Sequence, residues 1–300
     1  MSDFQFSVEA LGSKWWFTFF DKLNFKEQSQ VKQKTLEVLN DFENLYSRFK
    51  PDSLVSLLNK DKTLEKYPDE LFEMLTLCNQ ASSLTKGAFN IFVGSILENA
   101  GYDQNYSFEL KDDTVPDLKG SGFSIFSRDV LEISKPSNID LGGIGKGWMI
   151  DKLARIFEED LNLNLFSING GGDIYSTGDT LGAQIFELEN PLDITQSIGQ
   201  ISLNHHAIAC SSGNKRKWKV KNGDQEFSHL VGSDNSDKNI LAVFTFAQTA
   251  VQADLASTCL FVSNPDNFIR ICEFFECLFL LVFKDGTFFA HPEYPGKLNS

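Results

Sequence analysis

Apolar positions along the chain fall into alternating extended and helical stretches. An aromatic run from Lys14 to Phe20 predicts a first strand. From Glu27 to Phe49 apolar residues recur at helical spacing, with Val31, Leu36, Leu39, Phe42 and Leu45 expected near one face. Pro51 closes that helix, and Asp52 or Ser53 can cap a short second one carrying Leu54, Leu57 and Leu58. Pro68 and Asp69 open a third helix through Phe72, Leu75 and Cys78, ending near Gly87. Residues 103–137 are polar, with strand-like pieces at Phe123–Phe126 and Val130–Ile133. A helix from near Trp148 to about Asp160 places Ile150, Leu153, Ile156 and Phe157 on one face, and a buried strand follows at Leu163–Ile168. Beyond Leu181, the segments Gln184–Glu187, Ile198–Leu203, Ala207–Cys210 and Phe227–Val231 predict an antiparallel meander. A strand at Ile240–Phe246 leads into a helix from Ala250, and strands at Cys277–Phe283 and Thr287–Ala290 close the chain. The pattern is that of an α+β protein, helices packed on sheets.

Composition narrows the class. The 300 residues are 42% hydrophobic and 23% charged, enough apolar mass for a substantial core. Phenylalanine contributes 28 residues and methionine only three, so aromatic packing should dominate the interior. A formal net charge of −14 with no basic face argues against nucleic acid or an anionic membrane as partner. An acidic protein that binds an anionic ligand needs local positive charge, from lysines or a divalent metal. Cysteines 78, 210, 259, 272 and 277 lie in apolar or helical stretches and read as buried thiols of a reducing compartment, without zinc-ligand spacing. The start of the chain lacks a basic and apolar leader pattern, and no apolar run reaches the ~18 residues a spanning helix needs. A cytoplasmic location is the expectation.

Two stretches carry candidate chemistry. The first is Asn138–Asp151, NIDLGGIGKGWMID, where four glycines fall within six positions around Lys146. Read as a strand-to-helix turn, it offers glycines that reach φ > 0 and let a phosphate approach the backbone. It is equally readable as a plain connection. It is not a P-loop, since Gly147 follows Lys146 where Ser or Thr is required, nor a dinucleotide fingerprint, since the third glycine site is Trp148. The second stretch is ADLAST, in which Asp254 and Thr258 stand i, i+4 on one helix face with Ser257 beside them. Such hard oxygen donors suit Mg²⁺, which takes few protein ligands. The alternative is a first-turn aspartate with a threonine bonded back to the main chain. Lys215–Lys219 is the one basic cluster, either a solvated hairpin or a source of positive charge for an anion.

In order along nearly the whole chain, these segments resemble the ApbE family, flavin transferases that use FAD to attach FMN to a threonine or serine of a target protein. ALGSKWW is similar to the family's opening strand, and YSRFKPDSLVSLLN to its F-S-R-F-x-P-x-S-E-L-S-x-L-N segment. GAFN with Gly101-Tyr102-Asp103 resembles G-A-F-D and the following G-Y-D. IDLGGIGKGWMID is similar to D-L-G-G-I-A-K-G-Y-x-x-D, the most specific element, and INGGGDI to N-x-G-G-D-I. AIACSSGNKRKW and ADLAST resemble A-x-A-T-S-S-x-x-x-R-x-W and A-D-x-x-x-T.

The resemblance implies residues 1–300 as a single two-lobed, T-fold-related α+β domain of mixed and antiparallel sheets, with the FAD site in a central cleft. It implies Asp254 and Thr258 as Mg²⁺ ligands, assisted by Ser257 and by the carbonyl of Gly145, which stands where the family usually has alanine. It places Gly143, Lys146 and Asp151 against FAD, and Phe49, Ala88, Phe89 and Asn90 along the flavin. His229 corresponds to the histidine of H-I-I-D-P-R-T-G and is the candidate general base. Two departures stand out: Val231–Ser236 replace I-D-P-R-T-G, and GAFN replaces GAFD. The implied partners are FAD and an acceptor protein, with neither nucleic acid nor membrane. The implied reaction is Mg²⁺-dependent FMN transfer with release of AMP. Hydrolysis of FAD to FMN and AMP, or flavin binding without catalysis, are the alternatives that the altered loop leaves open.

Overall fold

A computed structural model describes residues 3–103, 107–110, 121–134, 138–213, 217–219, 226–228 and 239–299. In chain order the elements are β1 (Phe4–Ala10), β2 (Ser13–Phe19), α1 (Phe25–Tyr46), α2 (Leu54–Asp61), β3 (Thr63–Glu65), α3 (Asp69–Leu84), α4 (Gly94–Asn99), β4 (Phe123–Phe126), β5 (Val130–Ile133) and α5 (Gly145–Arg155). There follow β6 (Phe166–Gly170), β7 (Asp173–Ser176), β8 (Gln184–Glu189), β9 (Ser197–Leu203), β10 (His206–Ser212), β11 (Lys217–Lys219), β12 (Glu226–Ser228) and β13 (Ile240–Ala247). The chain ends with α6 (Ala250–Val262), α7 (Phe268–Phe275), β14 (Leu278–Phe283), β15 (Phe288–Ala290) and β16 (Lys297–Leu298). It divides into two compact units: Met1–Asn40, Ile144–Ser212 and Asp234–Ser300 form one, and Asp41–Gly143 with Gly213–Ser233 the other.

The first unit is built on an antiparallel sheet of eight strands in the order β1-β2-β6-β7-β10-β13-β14-β15. Alternation in Phe4–Ala10 supplies an edge strand that the sequence reading omitted. It pairs with β2 from Phe4↔Phe19 to Ala10↔Ser13, across a turn in which Leu11 and Gly12 both take positive φ (51° and 65°). Trp15, Phe17, Phe19, Phe157 and Phe166 are fully buried, and the Phe157 ring meets Phe19 at 5.1 Å and Phe166 at 5.3 Å, both edge-on. Helix α6 packs on β10, β13 and α5 and is buried over almost its entire length, which explains why apolar residues surround its few polar ones. Thr249 caps it in a capping box with Gln252, and the Thr245 hydroxyl donates to the Ala253 carbonyl at 2.6 Å.

Two expectations are corrected here. The segments after Leu181 are not one meander: β9 pairs with β8 and β16, whereas β10 pairs with β7 and β13. The chain changes sheets at Asn204–His205, where His205 takes a left-handed φ of 51°. The helix that follows the glycine turn begins at Gly145, earlier than Trp148, and its last turn, Ile156–Asp160, widens to a π-helix.

In the second unit, α2, α3 and α4 accompany a small sheet of order β3-β5-β4. The two strands expected at 123–126 and 130–133 are β4 and β5. Ser53, not Asp52, caps α2, its hydroxyl accepting from the Ser56 N–H at 3.1 Å. The division between the units falls within α1. Val31, Thr35, Val38, Leu39, Phe42 and Tyr46 form its buried stripe, and Leu36 and Leu45 fall to either side of it and are exposed. The expected strand at Phe227–Val231 is described only to Ser228, in a hairpin of β11 with β12. Val231 and His229 lie outside the described residues, as do Lys215 and Arg216 of the basic cluster.

Candidate functional site

Of the two properties its glycines offer, positive φ and a missing Cβ, the glycine-rich stretch uses the second. Among the described residues, its own start carries only an isolated bridge of Asn138 with Val93. None of Gly142, Gly143, Gly145 or Gly147 takes positive φ. Close approach explains the glycines instead. A Cβ on Gly147 would stand 2.6 Å from the Ala250 carbonyl oxygen and 2.8 Å from Asp254 Cβ, so α5 and α6 touch backbone to backbone there. That contact lets the Gly147 N–H donate to Asp254 Oδ2 at 2.9 Å. The positive-φ glycines belong to the other motif. Gly171 and Gly172 (φ 69° and 105°) form the two-residue turn between β6 and β7, and the Gly172 N–H is held by Asn169 Oδ1 at 2.9 Å.

That turn delivers Asp173, which the sequence reading did not single out. The Lys146 ammonium is ion-paired with buried Asp173 and lies 3.3 Å and 3.4 Å from the two oxygens of Asp254. Asp173 Oδ1 also accepts from the Cys210 N–H at 3.3 Å. One cation is therefore shared by two carboxylates in a dry setting, where charge interactions are strong. Burial pushes the Asp254 carboxyl up to about 6, against the opposing pull of Lys146 and with a further push from Asp173.

One turn further along α6, the Ser257 hydroxyl donates back to the Asp254 carbonyl at 3.0 Å. Ser257, rather than Thr258, is thus the back-bonded residue. Thr258 Oγ1 lies 3.1 Å from Ser211 Oγ, which is also 2.8 Å from Ser257 Oγ. All three hydroxyls are buried. Asp151 turns to the start of α6, where its carboxylate accepts from the Ala250 and Val251 N–H groups at 2.7 and 2.8 Å. Burial outweighs those bonds and raises its pKa to about 6.

The second unit holds the other predicted residues. Phe89 is buried, its N–H donates to Thr85 Oγ1 at 2.9 Å, and its ring would meet a Cβ on Gly143 at 3.2 Å. Ala88 is bonded through its N–H to the Thr85 carbonyl, and Asn90 Oδ1 accepts from the Phe92 N–H at 2.8 Å. Beside Phe49 lies Arg48, a residue the sequence reading passed over. Its guanidinium sits 4.2 Å from the Phe49 ring, donates to Asp140 Oδ2 at 2.5 Å and to the Tyr102 carbonyl at 2.7 Å, and pairs with Glu98 at 3.6 Å. Asp140 Oδ1 in turn accepts from the Gly142 N–H at 2.7 Å, so Arg48 anchors the start of the glycine stretch.

For a divalent metal, the donors available are the Asp254 carboxylate, the Thr258 hydroxyl and main-chain carbonyls. This all-oxygen set fits a hard cation that keeps most of its water. Among the described residues no group of three or more His, Cys, Asp or Glu side chains makes a metal cage. No described helix is long and apolar enough to cross a membrane.

A family model described as "ApbE family" matches residues 11–279. The FAD:protein FMN transferase of Escherichia coli K12 is 22% identical over 293 residues, covering 91% of this chain and 82% of the relative. That of Chlamydia muridarum is 23% identical over 260 residues, covering 80% and 78%. Among solved structures, the ApbE protein of Thermotoga maritima superposes with a TM-score of 0.80 at 21% identity, with 97% of each chain covered. The flavinyl transferase ApbE of Pseudomonas stutzeri gives 0.75 at 15% identity, covering 97% of this chain and 96% of that one. These likenesses share the mixed α+β fold with its antiparallel sheets.

Proposed function

The chain belongs to the ApbE family, and from that membership we propose that it is an FAD:protein FMN transferase, moving FMN from FAD to a threonine or serine hydroxyl of an acceptor protein. The observation that carries the reading is the Lys146–Asp254–Asp173 cluster, with Thr258 one turn from Asp254. It supplies one cation and hard oxygen donors in an otherwise acidic protein.

In the proposed reaction the acceptor oxygen forms a bond to the FMN-side phosphorus of FAD. The bond from that phosphorus to the bridging oxygen breaks, and AMP leaves with the electron pair. The hydroxyl proton passes to His229, a histidine being suited to such a transfer near neutral pH. Lys146 holds phosphate oxygens when FAD displaces it from its carboxylates, and Phe49, Ala88, Phe89, Asn90 and Gly143 contact the flavin. Asp151 acts by fixing the first turn of α6, which carries Asp254. Mg²⁺, held by Asp254, Thr258 and the Gly145 carbonyl, would neutralise charge developing on the phosphates. Ser257 supports this set from its bond to the Asp254 carbonyl.

His229→Ala should slow transfer by ~10²-fold or more, the usual scale for a lost general base. An unchanged rate removes His229 from that role. A second reading, FAD hydrolysis with water as acceptor, is favoured by the replacement of I-D-P-R-T-G by Val231–Ser236 after His229-Leu230. AMP formed from FAD with no acceptor present would mark that reaction.

A further inference from the structure

We propose that Ser211 is a positioning residue that aims the Thr258 hydroxyl at a divalent cation, through a hydrogen-bond chain whose direction the structure determines. The inference rests on the proposed Thr258–metal contact and concerns a residue outside that ligand set. The chain has a fixed end. The Asp254 carbonyl can only accept, so the Ser257 hydroxyl 3.0 Å away spends its proton there. Toward Ser211 Oγ, at 2.8 Å, Ser257 can then only accept, and Ser211 donates. With its own proton committed, Ser211 must accept from Thr258 Oγ1 at 3.1 Å. Thr258 is left with its proton turned into the protein and its remaining lone-pair density turned away from Ser211. That is the protonation geometry of a neutral metal ligand, set before any ion arrives.

Burial makes the order strict. Ser211, Ser257 and Thr258 are 8%, 1% and 8% exposed, so solvent offers few competing partners that could scramble the chain. The device also joins two elements, since Ser211 comes from strand β10 and the other two hydroxyls from α6. Without Ser211, the Thr258 proton loses its acceptor and can rotate into the position a cation would take, or bond back to its own helix. Outer partners that orient metal ligands typically contribute 10–100-fold in affinity.

The test is Mn²⁺ binding to the full chain without FAD, read by EPR of the free ion, beside the thermal unfolding midpoint of each variant. Ser211→Ala should weaken Mn²⁺ by ~10-fold or more with little change in unfolding, while Ser211→Thr, which keeps the hydroxyl, should retain wild-type affinity. If Ser211→Ala does not fold, Ser211→Cys replaces it, its sulfur being a poor acceptor, with the same loss expected. Unchanged affinity in Ser211→Ala, while Asp254→Ala has lost Mn²⁺, would overturn the positioning role alone. Equal weakening in Ser211→Ala and Ser211→Thr overturns it too. Wild-type affinity in Asp254→Ala, or no binding by the wild-type chain, would instead overturn the metal reading beneath it.

Discussion

Asp254 is a carboxylate kept in a buried place by one shared ammonium and one backbone N–H, a costly arrangement unless the charge is used. Replacing it with near-isosteric Asn should cut FMN transfer by ~10²-fold or more, equivalent to a few kcal/mol of barrier, with the fold intact by circular dichroism. Retained turnover would remove Asp254 from the reaction. Asp151 makes a separate prediction about pH. Its folded pKa of about 6 lies above the ordinary 3.8, so between those values the folded chain binds more protons than the unfolded one. Its contribution therefore falls as pH rises through that window. In Asp151→Asn the fall should flatten, as seen in unfolding midpoints measured from pH 4 to 7 against wild type; an unchanged slope would contradict the assignment. Asp254 and Thr258 were legible in the sequence because their i, i+4 spacing is local. Asp173 and Ser211 were not, because strand pairing and helix–sheet packing bring them to the site, and neither is written in spacing.

Among elements, the contact of α5 with α6 matters most, because it sets Gly147 against Asp254 and Lys146 beside it. Gly147→Ala would insert a Cβ at 2.6 Å from a carbonyl oxygen, within backbone that has no flexible side chain to yield. Stability should fall by ~1–3 kcal/mol, measured by urea unfolding, and transfer should fall with it, since the bond from the Gly147 N–H to the Asp254 carboxylate depends on that approach. Wild-type stability in Gly147→Ala would mean that the helices are not in contact there. The aromatic β2, the apolar β13 and the largely apolar α6 could be read directly from hydrophobic pattern. The meander could not, because alternation predicts strands without naming their partners, and the sheet change at His205 is a single left-handed residue. The role of the glycines at 142–147 was open in the sequence for a related reason: a residue type that permits positive φ is also the one that permits contact.

For the whole molecule, a net charge of −14 and the proposed anionic substrate are reconciled by where the cations stand rather than by how many there are. In the proposed reaction Asp254 turns to a divalent ion as FAD phosphate takes Lys146, which here is shared by Asp173 and Asp254. Removing the ion with EDTA should accordingly abolish transfer, and Mg²⁺ should restore it; full activity in EDTA would contradict the metal reading. The most direct measurement is covalent flavin itself. The purified chain, with FAD and Mg²⁺, is added to an extract of its source cells from which the chain has been deleted, and proteins are separated under denaturing conditions. A flavin-fluorescent protein band, formed together with AMP and absent with Asp254→Asn, is the predicted result. AMP accompanied only by free FMN, or FAD left unconsumed, would contradict it.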